Sequence, residues 1–528
     1  MTDHGSSPAA SDGGSPTFPV EDERRFSRSL LFRLQRAFFD RRGVEAWRTT
    51  IVPHYVTNNP RLARAYAEVF LGWLRDCAAG PRDEGRPVTI VEIGAGCGRF
   101  GYLFLRALEE LHRRSSVSHV RFRYVMTDFT ESNVQFWRAH EGLRPFVARG
   151  LLDFALFDAE QGTSIRLLES GEILAPGGVK GRLGVIANYV LDGLSQDAFS
   201  CEGGLLHEWL VSLSARAPVT DLDDPELLAR LEVVYRRQPA PPDYYGEPVL
   251  DAVLRGYERT MEGRTVFFPH AAIRCLARLS EIGEDGLFLL SGDRGSIDPE
   301  AVGTPGEPSF SLHGSFSTDV DYHAVAAYVR GRGGVVLEPG HRSANLGTFG
   351  FLLGPEGVSH RETTLAFDQA ISRGGPDDFY TARVGVQDHY DALDLEQLLA
   401  MIRLSQHDPR ILRDCLPSLV ARAAGAGEGQ RRGVTRAAAR VWENDYFIGE
   451  EQDLAFDLAH LCHAFGAWRE ALPFLAASVR RFGARASTSW NLGLCHYALG
   501  ETEDALRCFA EAARLQPGFS PEGAFQVT

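Results

Sequence analysis

Glu92, Gly94, Gly96 and Gly98 have the types and spacing of a turn that holds a nucleotide-like cofactor. They form the pattern E-x-G-x-G-x-G, and because glycine has no Cβ, such a turn lets backbone N–H groups approach a ligand closely. The carboxylate before the glycines suits a ligand with an ammonium group and hydroxyls, since both donate hydrogen bonds to carboxylate oxygens. The chemistry expected here is cofactor binding, and a tight turn that binds nothing is the alternative.

The spacing distinguishes this turn from a dinucleotide-binding loop. That loop has the pattern G-x-G-x-x-G, in which the third glycine lets the next helix pack close beneath a pyrophosphate. Arg99 stands at the third position, and the acid at Glu92 disfavours a pyrophosphate. An NAD-dependent oxidoreductase is therefore disfavoured. S-adenosylmethionine, which carries an ammonium group and ribose hydroxyls, is the expected cofactor.

A strand and a helix must position this turn. Residues 88–93 are rich in β-branched side chains and predict a short buried strand, and the apolar residues between 100 and 111 recur at helical spacing. Strand, glycine turn and helix in this order resemble motif I of the class I, Rossmann-like S-adenosylmethionine-dependent methyltransferases. The resemblance implies an α/β Rossmann-like core and cofactor contacts through Glu92, Gly94, Ala95, Gly96 and Gly98.

Two further strands end in acids that the same crevice needs. The segment RFRYVMTDF predicts a strand that ends at Asp128, whose carboxylate is placed to accept hydrogen bonds from two ribose hydroxyls, with Phe129 beside it. A helix cap is the alternative role of Asp128. In the family that the chain resembles, an acid after the third strand takes the adenine amino group. The resemblance assigns that role to Asp158, next to Ala159, with Asp153 as the less favoured choice.

A fourth strand ends at Asn188 and Tyr189, with Asp192 one helical turn further on. The resemblance places this strand end beside both the methyl group and the acceptor. Because the carboxyl ends of parallel strands meet at one edge of an open α/β sheet, these polar residues predict one ligand crevice. Histidine is the common base near neutral pH, so His313 or His323 is a candidate to take a proton from the acceptor. The candidate catalytic residues are Asn188, Tyr189 and His313; the alternative role of each histidine is to satisfy a loop backbone.

The order of segments from Val88 to about Gly354 resembles the MidA-like methyltransferases, a family that includes an enzyme that methylates a protein arginine. The resemblance is carried by VEIGAGCGRFG, IANYVLD, GDRG and HGSFSTDVDYHAV. Where that family has a glutamate after the asparagine of the fourth strand, this chain has Tyr189. A guanidinium needs carboxylates to orient it, so an arginine acceptor would depend on other acids. The candidates are Asp192, Glu202 and Glu208.

The last part of the chain resembles a tetratricopeptide (TPR) repeat. Helical spacing of small and large residues continues through SWNLGLCHYALGETEDALRCFAEAARLQP. The positions that fit the repeat are Leu492, Gly493, Tyr497, Gly500, Ala505, Phe509, Ala512 and Pro517, and the pattern occurs one repeat upstream at Leu458, Ala459, Gly466 and Ala471. Helical stacks of this kind most often bind peptide or protein segments, so a protein partner is expected here. The alternative is that this helical domain only supports the Rossmann-like core.

The predicted domain order follows these segments. Residues 1–22 are mainly Ser, Gly, Ala, Pro and Asp and predict a disordered tail. Residues 23–86 predict a helical cap, 87–390 the Rossmann-like methyltransferase domain, and 391–528 an all-α TPR-like helical domain. Within the methyltransferase domain, about 214–282 predict a helical insertion that contains LLARLEVVYRR and forms a wall of the acceptor site.

Composition narrows the class of function. A formal net charge of −15 over 528 residues argues against binding to nucleic acid or to an anionic membrane. The eight cysteines include no C-x-x-C pair, which argues against a structural zinc and suits a reducing compartment. No apolar run approaches the roughly 20 residues of a membrane span. We therefore expect a cytoplasmic protein with no metal and leave its oligomeric state open.

Together these patterns predict a methyltransferase that uses S-adenosylmethionine. The acceptor, a protein or a carrier-bound molecule, would be recruited by the TPR-like domain. The alternative is a catalytically silent cofactor-binding or scaffold protein whose repeats bind a protein partner.

Overall fold

The computed structural model describes residues 17–49, 51–80, 85–312, 315–343, 346–355 and 358–519. They form two compact units, each built from separate stretches of the chain. The sheet unit comprises the described parts of Met1–Pro53, Cys77–Cys97 and Val120–Ser359. The helical unit comprises the described parts of His54–Asp76, Gly98–His119 and His360–Thr528.

All strands of the described residues fall in the sheet unit. They are β1 (Phe18–Arg25), β2 (Val88–Ile93), β3 (Phe122–Asp128), β4 (Leu152–Leu156), β5 (Ile165–Arg166), β6 (Ile173–Leu174), β7 (Leu183–Asn188), β8 (Asp197–Glu202), β9 (Leu205–Ala215), β10 (Leu231–Pro239), β11 (Arg264–Phe268), β12 (Leu287–Asp293), β13 (Gly295–Ser296), β14 (Thr304–Pro305), β15 (Ser311–Leu312), β16 (Phe316–Ser317), β17 (Val320–Asp321), β18 (Val335–Leu337) and β19 (Gly347–Leu353).

The α-helices occur in both units. They are α1 (Leu30–Arg42), α2 (Glu45–Arg48), α3 (Pro60–Ala79), α4 (Arg99–Arg113), α5 (Glu131–Ala139), α6 (Arg144–Ala148), α7 (Pro248–Arg255), α8 (His270–Ile282), α9 (Tyr322–Gly331), α10 (Arg361–Phe367), α11 (Pro376–Val384), α12 (Leu395–Leu404), α13 (Pro409–Ala421), α14 (Glu428–Glu443), α15 (Leu454–Ala464), α16 (Trp468–Phe482), α17 (Ala486–Ala498) and α18 (Thr502–Leu515).

A seven-stranded core sheet organises the sheet unit. Its strand order is β18-β19-β12-β7-β2-β3-β4. The five strands from β12 to β4 run parallel, and β19 is antiparallel to both β12 and β18. The predicted α/β Rossmann-like core is confirmed by this topology. Strand order reverses between β2 and β7, and open α/β sheets bind ligands outside the carboxyl ends of the strands at such a point.

Buried side chains on the central strands explain why the core sheet forms. Residues 89–93 of β2 and all of β3 are buried, as expected for strands covered on both faces. Helix α8 packs on β7, α9 packs on β19, and α5 packs on β3 and β4. The carboxyl ends of β2, β3, β4, β7 and β12 therefore lie along one edge, which we call the carboxyl edge.

A second, antiparallel sheet holds the N-terminal strand and two strands of the predicted insertion, β10 and β11. Its order is β1-β9-β8-β11-β14, and β10 also pairs with β9. Because β1 starts at Phe18, the tail prediction does not hold for positions 18–22, whereas positions 1–16 lie outside the described residues.

The predicted helical insertion at about 214–282 is only partly helical. It contains α7 and α8, but also β10 and β11. The segment LLARLEVVYRR forms a short 3₁₀ turn and then β10. Leu231, Val233 and Tyr235 all pack against one hydrophobic cluster, so the apolar residues follow the two-residue period of a strand. The domain boundaries themselves stay a prediction.

The helical unit is built from helices that pack in pairs. Tyr66 and Phe70 of α3 make edge-on ring contacts with Phe100 and Phe104 of α4. Towards the C-terminus, α15 packs on α16 and α17 on α18. The predicted all-α region is confirmed by these helix pairs. Among the described residues, no helix has the length and apolar character needed to cross a membrane.

Candidate active site at the carboxyl edge

The glycine turn after β2 needs glycine for its backbone shape. Gly94, Gly96 and Gly98 have φ angles of 64°, 53° and 84°, a region that other residues rarely adopt. The turn is fastened to β3, because the Ala95 N–H donates to the Thr127 carbonyl at 2.9 Å. The Gly96 carbonyl accepts a hydrogen bond from the Trp137 indole nitrogen at 3.0 Å. Backbone groups at the switch point are thus held in one arrangement.

Asp128 links the end of β3 to this turn. Its Oδ2 accepts the Gly96 N–H at 3.0 Å and its Oδ1 accepts the Thr130 N–H at 2.9 Å. Burial raises the pKa of Asp128, and the two N–H groups oppose that shift by stabilising the charged form. The bond to Thr130 lies at the entry to α5, so the expected capping role and the expected crevice position are both compatible with this geometry.

Glu92 lies deeper in the sheet than the crevice role suggests. Its side chain is 3% exposed, and its Oε2 accepts a hydrogen bond from the Tyr124 hydroxyl at 2.8 Å. Burial raises the pKa of Glu92 to about 8, against the effect of the Tyr124 hydrogen bond. The carboxyl group is therefore largely protonated at neutral pH. Its contact with a cofactor stays a prediction.

Asp158 and Phe129 lie together beside an arginine of α1. Asp158 Oδ2 accepts a hydrogen bond from Nη2 of Arg36 at 2.8 Å, and the Arg36 guanidinium lies 4.5 Å from the centre of the Phe129 ring. The Ala159 carbonyl accepts a hydrogen bond from Arg278 at 2.7 Å. The less favoured Asp153 accepts hydrogen bonds from three backbone N–H groups, those of Phe154, Glu169 and Ser170. It therefore serves the local backbone.

The fourth strand delivers Asn188 and Tyr189 to the same edge. Tyr189 has a φ angle of 50°, which is rare for a residue with a side chain and is typical of functional positions. Its N–H donates to the Gly292 carbonyl at 3.0 Å. Burial raises the pKa of Tyr189 to about 12, and the charges of Asp293 and Asp192 act in the same direction.

Val190 brings the ends of β2 and β7 together. A Cβ built on Gly94 would lie 2.6 Å from Cγ2 of Val190, so a larger residue at position 94 has no room. The glycine turn and the Tyr189 strand end are therefore neighbours. The structure brings the predicted residues of four strands to one edge.

Asp192 and Asp293 form a pair of acids that the sequence pattern did not predict as a pair. The Asp192 N–H donates to Oδ2 of Asp293 at 3.2 Å, and the Arg294 N–H donates to Oδ1 at 2.8 Å. Burial raises the pKa of Asp192 to about 6 and that of Asp293 well above its ordinary value. Asp293 ends β12, the fifth parallel strand. The rule that picked Asp128 and Asp158, an acid at a strand end, would have found it.

The other candidate acids and bases lie elsewhere. Glu202 and Glu208 belong to the second sheet, where they pair with Arg237 and with the Tyr244 hydroxyl, respectively. His323 lies on α9 with its ring 5.9 Å from that of Tyr257. His313 lies outside the described residues, so its predicted role as a base has no structural counterpart here.

A cavity of about 800 Å³ opens beyond the end of β12. Its lining combines charged side chains with hydroxyl and aromatic groups, among them Arg294, Asp298, Asp319, Ser317 and Phe349. Arg294 and Asp319 form an ion pair with 3.0 Å between Nη2 and Oδ1. Arg294, which lines the cavity, directly follows Asp293 in the sequence. The cavity is large enough for a side chain or a small molecule.

Comparisons with known proteins give one sequence family and several structures. The tetratricopeptide repeat family model matches residues 486–519, which span α17 and α18, so the predicted TPR resemblance is confirmed. No curated protein sequence matches this chain.

Three similar solved structures cover most of the chain. One is an uncharacterized protein from Burkholderia thailandensis with 17% identity and a TM-score of 0.35, over 60% of this chain and 73% of that chain. A second protein of the same superfamily and organism is bound to S-adenosyl-homocysteine, with 15% identity, a TM-score of 0.38 and coverage of 66% and 91%. The third is magnesium protoporphyrin IX methyltransferase from Synechocystis PCC 6803 with bound S-adenosyl-homocysteine, at 10% identity, a TM-score of 0.28 and coverage of 61% and 99%.

Proposed function

We propose that this chain is an S-adenosylmethionine-dependent methyltransferase whose cofactor binds at the carboxyl edge of the core sheet. The observation that carries the proposal is the hydrogen bond between Gly96 N–H and Asp128 at the switch point. It unites a left-handed glycine turn with an acid at the end of the next strand. A turn that offers N–H groups beside an acid that accepts from hydroxyls suits an adenosine ligand with an amino-acid tail.

The residues at this edge fit that cofactor. Gly94, Ala95, Gly96 and Gly98 would provide the backbone cradle, in which a Cβ at Gly94 or Gly96 meets a side chain within 2.7 Å. Asp128 would accept from the ribose hydroxyls, and Asp158 with Ala159 would face the adenine amino group. Phe129, Asn188 and Tyr189 are the other residues proposed to contact the cofactor. Aromatic faces such as Tyr189 or Phe129 would stabilise a positive sulfonium by about 0.5–2 kcal/mol.

Methyl transfer asks the protein mainly for alignment. When bound, S-adenosylmethionine supplies a methyl group on a sulfonium centre. The residues of β7 and β12 would hold the acceptor in line with it and exclude water, and orientation of this kind is worth about 7–11 kcal/mol. An amine or hydroxyl acceptor must also lose a proton. The carboxyl groups of Asp192 and Asp293 lie at the same strand ends as Tyr189 and would hold that proton.

The acceptor is proposed to be a protein or a carrier-bound molecule that the helical unit recruits. The support is the TPR match at residues 486–519, since helical repeats of this family present extended surfaces for peptide segments. The 800 Å³ cavity beyond β12 would take the side chain that is methylated.

A catalytically silent scaffold is the second candidate. One observation favours it: both carboxylates expected to contact adenosine already have protein partners. Asp128 is bonded to Gly96 and Thr130, and Asp158 is bonded to Arg36. In this alternative the edge residues stabilise the fold, and the repeats carry the function.

Calorimetric titration with S-adenosylmethionine separates the two candidates. Wild-type protein should bind in the micromolar range, and Asp128→Asn should lose that binding because an amide cannot accept from both hydroxyls. Asp153→Asn is the matched control, since Asp153 is an equally buried acid on the adjacent strand that serves only the local backbone. No binding at millimolar cofactor by folded wild-type protein would refute the methyltransferase.

A further inference from the structure

The segment formed by α1, Gly43 and α2 lies on the residues proposed to bind the cofactor. We call residues 30–48 the latch segment. Its first half is anchored, because Leu30, Leu31 and Leu34 are buried in the hydrophobic cluster under the second sheet. Arg36 follows these leucines on α1, and Trp47 lies on α2. Both belong to the sheet unit, as do all their partners named below.

Arg36 contacts two of the residues proposed to bind the cofactor, Asp158 and Phe129. Its Nη2 donates to Oδ2 of Asp158 at 2.8 Å, and its guanidinium stacks over Phe129 at 4.5 Å. The other oxygen of Asp158 accepts the Glu160 N–H at 2.8 Å. Each carboxylate oxygen therefore has one donor already. An adenine amino group would compete with Arg36 for Asp158.

Trp47 covers the glycine turn. A Cβ built on Gly96 would lie 2.7 Å from Cζ2 of Trp47, so the indole ring touches the backbone of the turn. Phe39 stacks on the indole with 5.8 Å between ring centres and an interplanar angle of 29°. Gly43, with a φ angle of 49°, separates α1 from α2.

We propose that the latch segment closes the cofactor site. Arg36 then occupies the place of the adenine ring, and Trp47 occupies the place where the cofactor would contact the backbone of the glycine turn. This inference rests on the proposed function and adds its regulation. Cofactor entry requires Arg36 to release Asp158 and α2 to turn away from Gly96. The closed arrangement competes with the cofactor, so anything that weakens it raises the affinity for the cofactor.

The strength of the latch follows from its exposure. The side chains of Arg36 and Asp158 are 39% and 27% exposed, so water and salt screen their attraction. The contact of Arg36 with Phe129 adds a cation–π term of similar size. The latch is therefore weak enough for a ligand to open. Its loss is expected to lower the Kd of a competing ligand about three- to ten-fold.

The experiment compares two arginines on the same helix. S-adenosyl-homocysteine is the probe, because its binding reports on the site without turnover. Arg36→Met should lower its Kd about three- to ten-fold. Arg33→Met is the matched control: Arg33 pairs with the exposed Asp223 and touches none of the proposed cofactor residues, so the Kd should stay unchanged.

A second measurement needs no substitution. For wild-type protein, the Kd of S-adenosyl-homocysteine should fall as NaCl is raised from low to high concentration, because salt screens the Arg36–Asp158 pair. The Kd of Arg36→Met should not change. Stopped-flow tryptophan fluorescence should show faster binding to Arg36→Met, since opening no longer limits association.

Each outcome decides between distinct claims. An equal or higher Kd for Arg36→Met than for wild type would overturn the latch and leave the methyltransferase in place; a higher Kd would make Arg36 part of the cofactor site. Binding by neither protein, with both folded, would refute the proposed function, and the latch with it. A lower Kd that Arg33→Met shares would trace the effect to net charge and would also overturn the latch.

Discussion

The backbone N–H of Asp192 donates a hydrogen bond to Oδ2 of Asp293 at 3.2 Å, and burial and the charge of Asp192 raise the pKa of Asp293. Asp192 follows β7 and Asp293 ends β12, so the contact joins the carboxyl ends of two adjacent parallel strands. Two acids this close do not both ionise readily. The pair therefore keeps a proton at a pH where an isolated aspartate has lost it.

Removal of the Asp293 carboxylate is expected to flatten the pH dependence of stability. Burial raises the pKa of Asp192 to about 6 and that of Asp293 well above its ordinary value, so the folded chain binds more protons than the unfolded chain above about pH 4. A rise of about 2 in the pKa of Asp192 corresponds to about 3 kcal/mol, so the free energy of unfolding should fall by about that much as pH rises from about 4 through about 6. Urea denaturation should show a smaller fall for Asp293→Asn than for wild type, because other buried acids such as Glu92 keep their own contributions.

An exposed acid at the same end of the sheet is the control for that prediction. Asp319, the ion-pair partner of Arg294, is 69% exposed. Asp319→Asn should therefore keep the wild-type slope of unfolding free energy against pH. A slope in Asp293→Asn equal to that of wild type would show that the acid pair does not share a proton.

Glu92 and Tyr124 form a second buried pair. Conservative substitutions of these two residues are expected to change the free energy of unfolding by different amounts. Burial raises the pKa of Glu92 to about 8, so at neutral pH its carboxyl group resembles the amide of glutamine. Glu92→Gln should change the free energy of unfolding by less than about 1 kcal/mol, because the amide oxygen still accepts from Tyr124. Tyr124→Phe should cost about 1–3 kcal/mol, since it removes that donor from a buried group. Chemical denaturation at neutral pH measures both changes.

The pH dependence of the Glu92 variant is the stricter test. The raised pKa lowers the stability of wild type progressively as pH rises towards about 8, because the unfolded carboxyl loses its proton near its ordinary pKa. Glu92→Gln should show a shallower decline, because only the contribution of Glu92 is lost. A parallel decline in both proteins would contradict a protonated Glu92.

Local sequence pattern was sufficient to place the strand ends of the candidate site. Strand, glycine turn and helix have distinct periods, and the rule that polar residues at the carboxyl ends of parallel strands share one edge applied to Asp128 and Tyr189. The family resemblance assigned Asp158. The TPR resemblance succeeded for a similar reason, since a helix pair packs through small and large residues at fixed spacing. Both kinds of signal lie within one or two consecutive elements.

Contacts between distant elements were not predictable in this way. Arg36 and Asp158 are far apart in the chain, and nothing near either residue specifies the other. The strand β10 was taken for a helix because its short apolar run fits both periods, and only pairing with β9 decides between them. The left-handed backbone of Tyr189 likewise follows from its bond to Gly292 on β12.

Substitution of Gly96 by a larger residue would cause both backbone strain and a steric clash. A second glycine, Gly150, allows the two effects to be measured separately. Gly96 and Gly150 both have positive φ angles, 53° and 69°, but a Cβ at Gly150 meets nothing within 4 Å whereas one at Gly96 meets Trp47. Gly150→Ala should cost about 1–2 kcal/mol from the left-handed backbone alone. Gly96→Ala should cost more and abolish binding of S-adenosyl-homocysteine. Thermal unfolding and calorimetry measure the two effects.

The steric part of that cost should be recoverable. Trp47→Ala removes the ring that an alanine at position 96 would meet, so the double variant should be closer in stability to Gly150→Ala than Gly96→Ala is. Equal costs for Gly96→Ala and Gly150→Ala would mean that Trp47 does not pack on the turn.

Gly493 sets the spacing of the last helix pair. It lies in α17, and a Cβ there would be 2.5 Å from the Phe509 ring of α18, so Gly493→Ala should force the helices apart and cost about 1–3 kcal/mol. Gly429→Ala is the matched control: that glycine is also helical, in α14, and a Cβ there meets nothing within 4 Å. Without a clash, alanine should leave stability unchanged or raise it by up to about 1 kcal/mol. Urea unfolding of the full chain, followed by helical circular dichroism, should show opposite shifts; equal shifts would contradict close packing of α17 on α18.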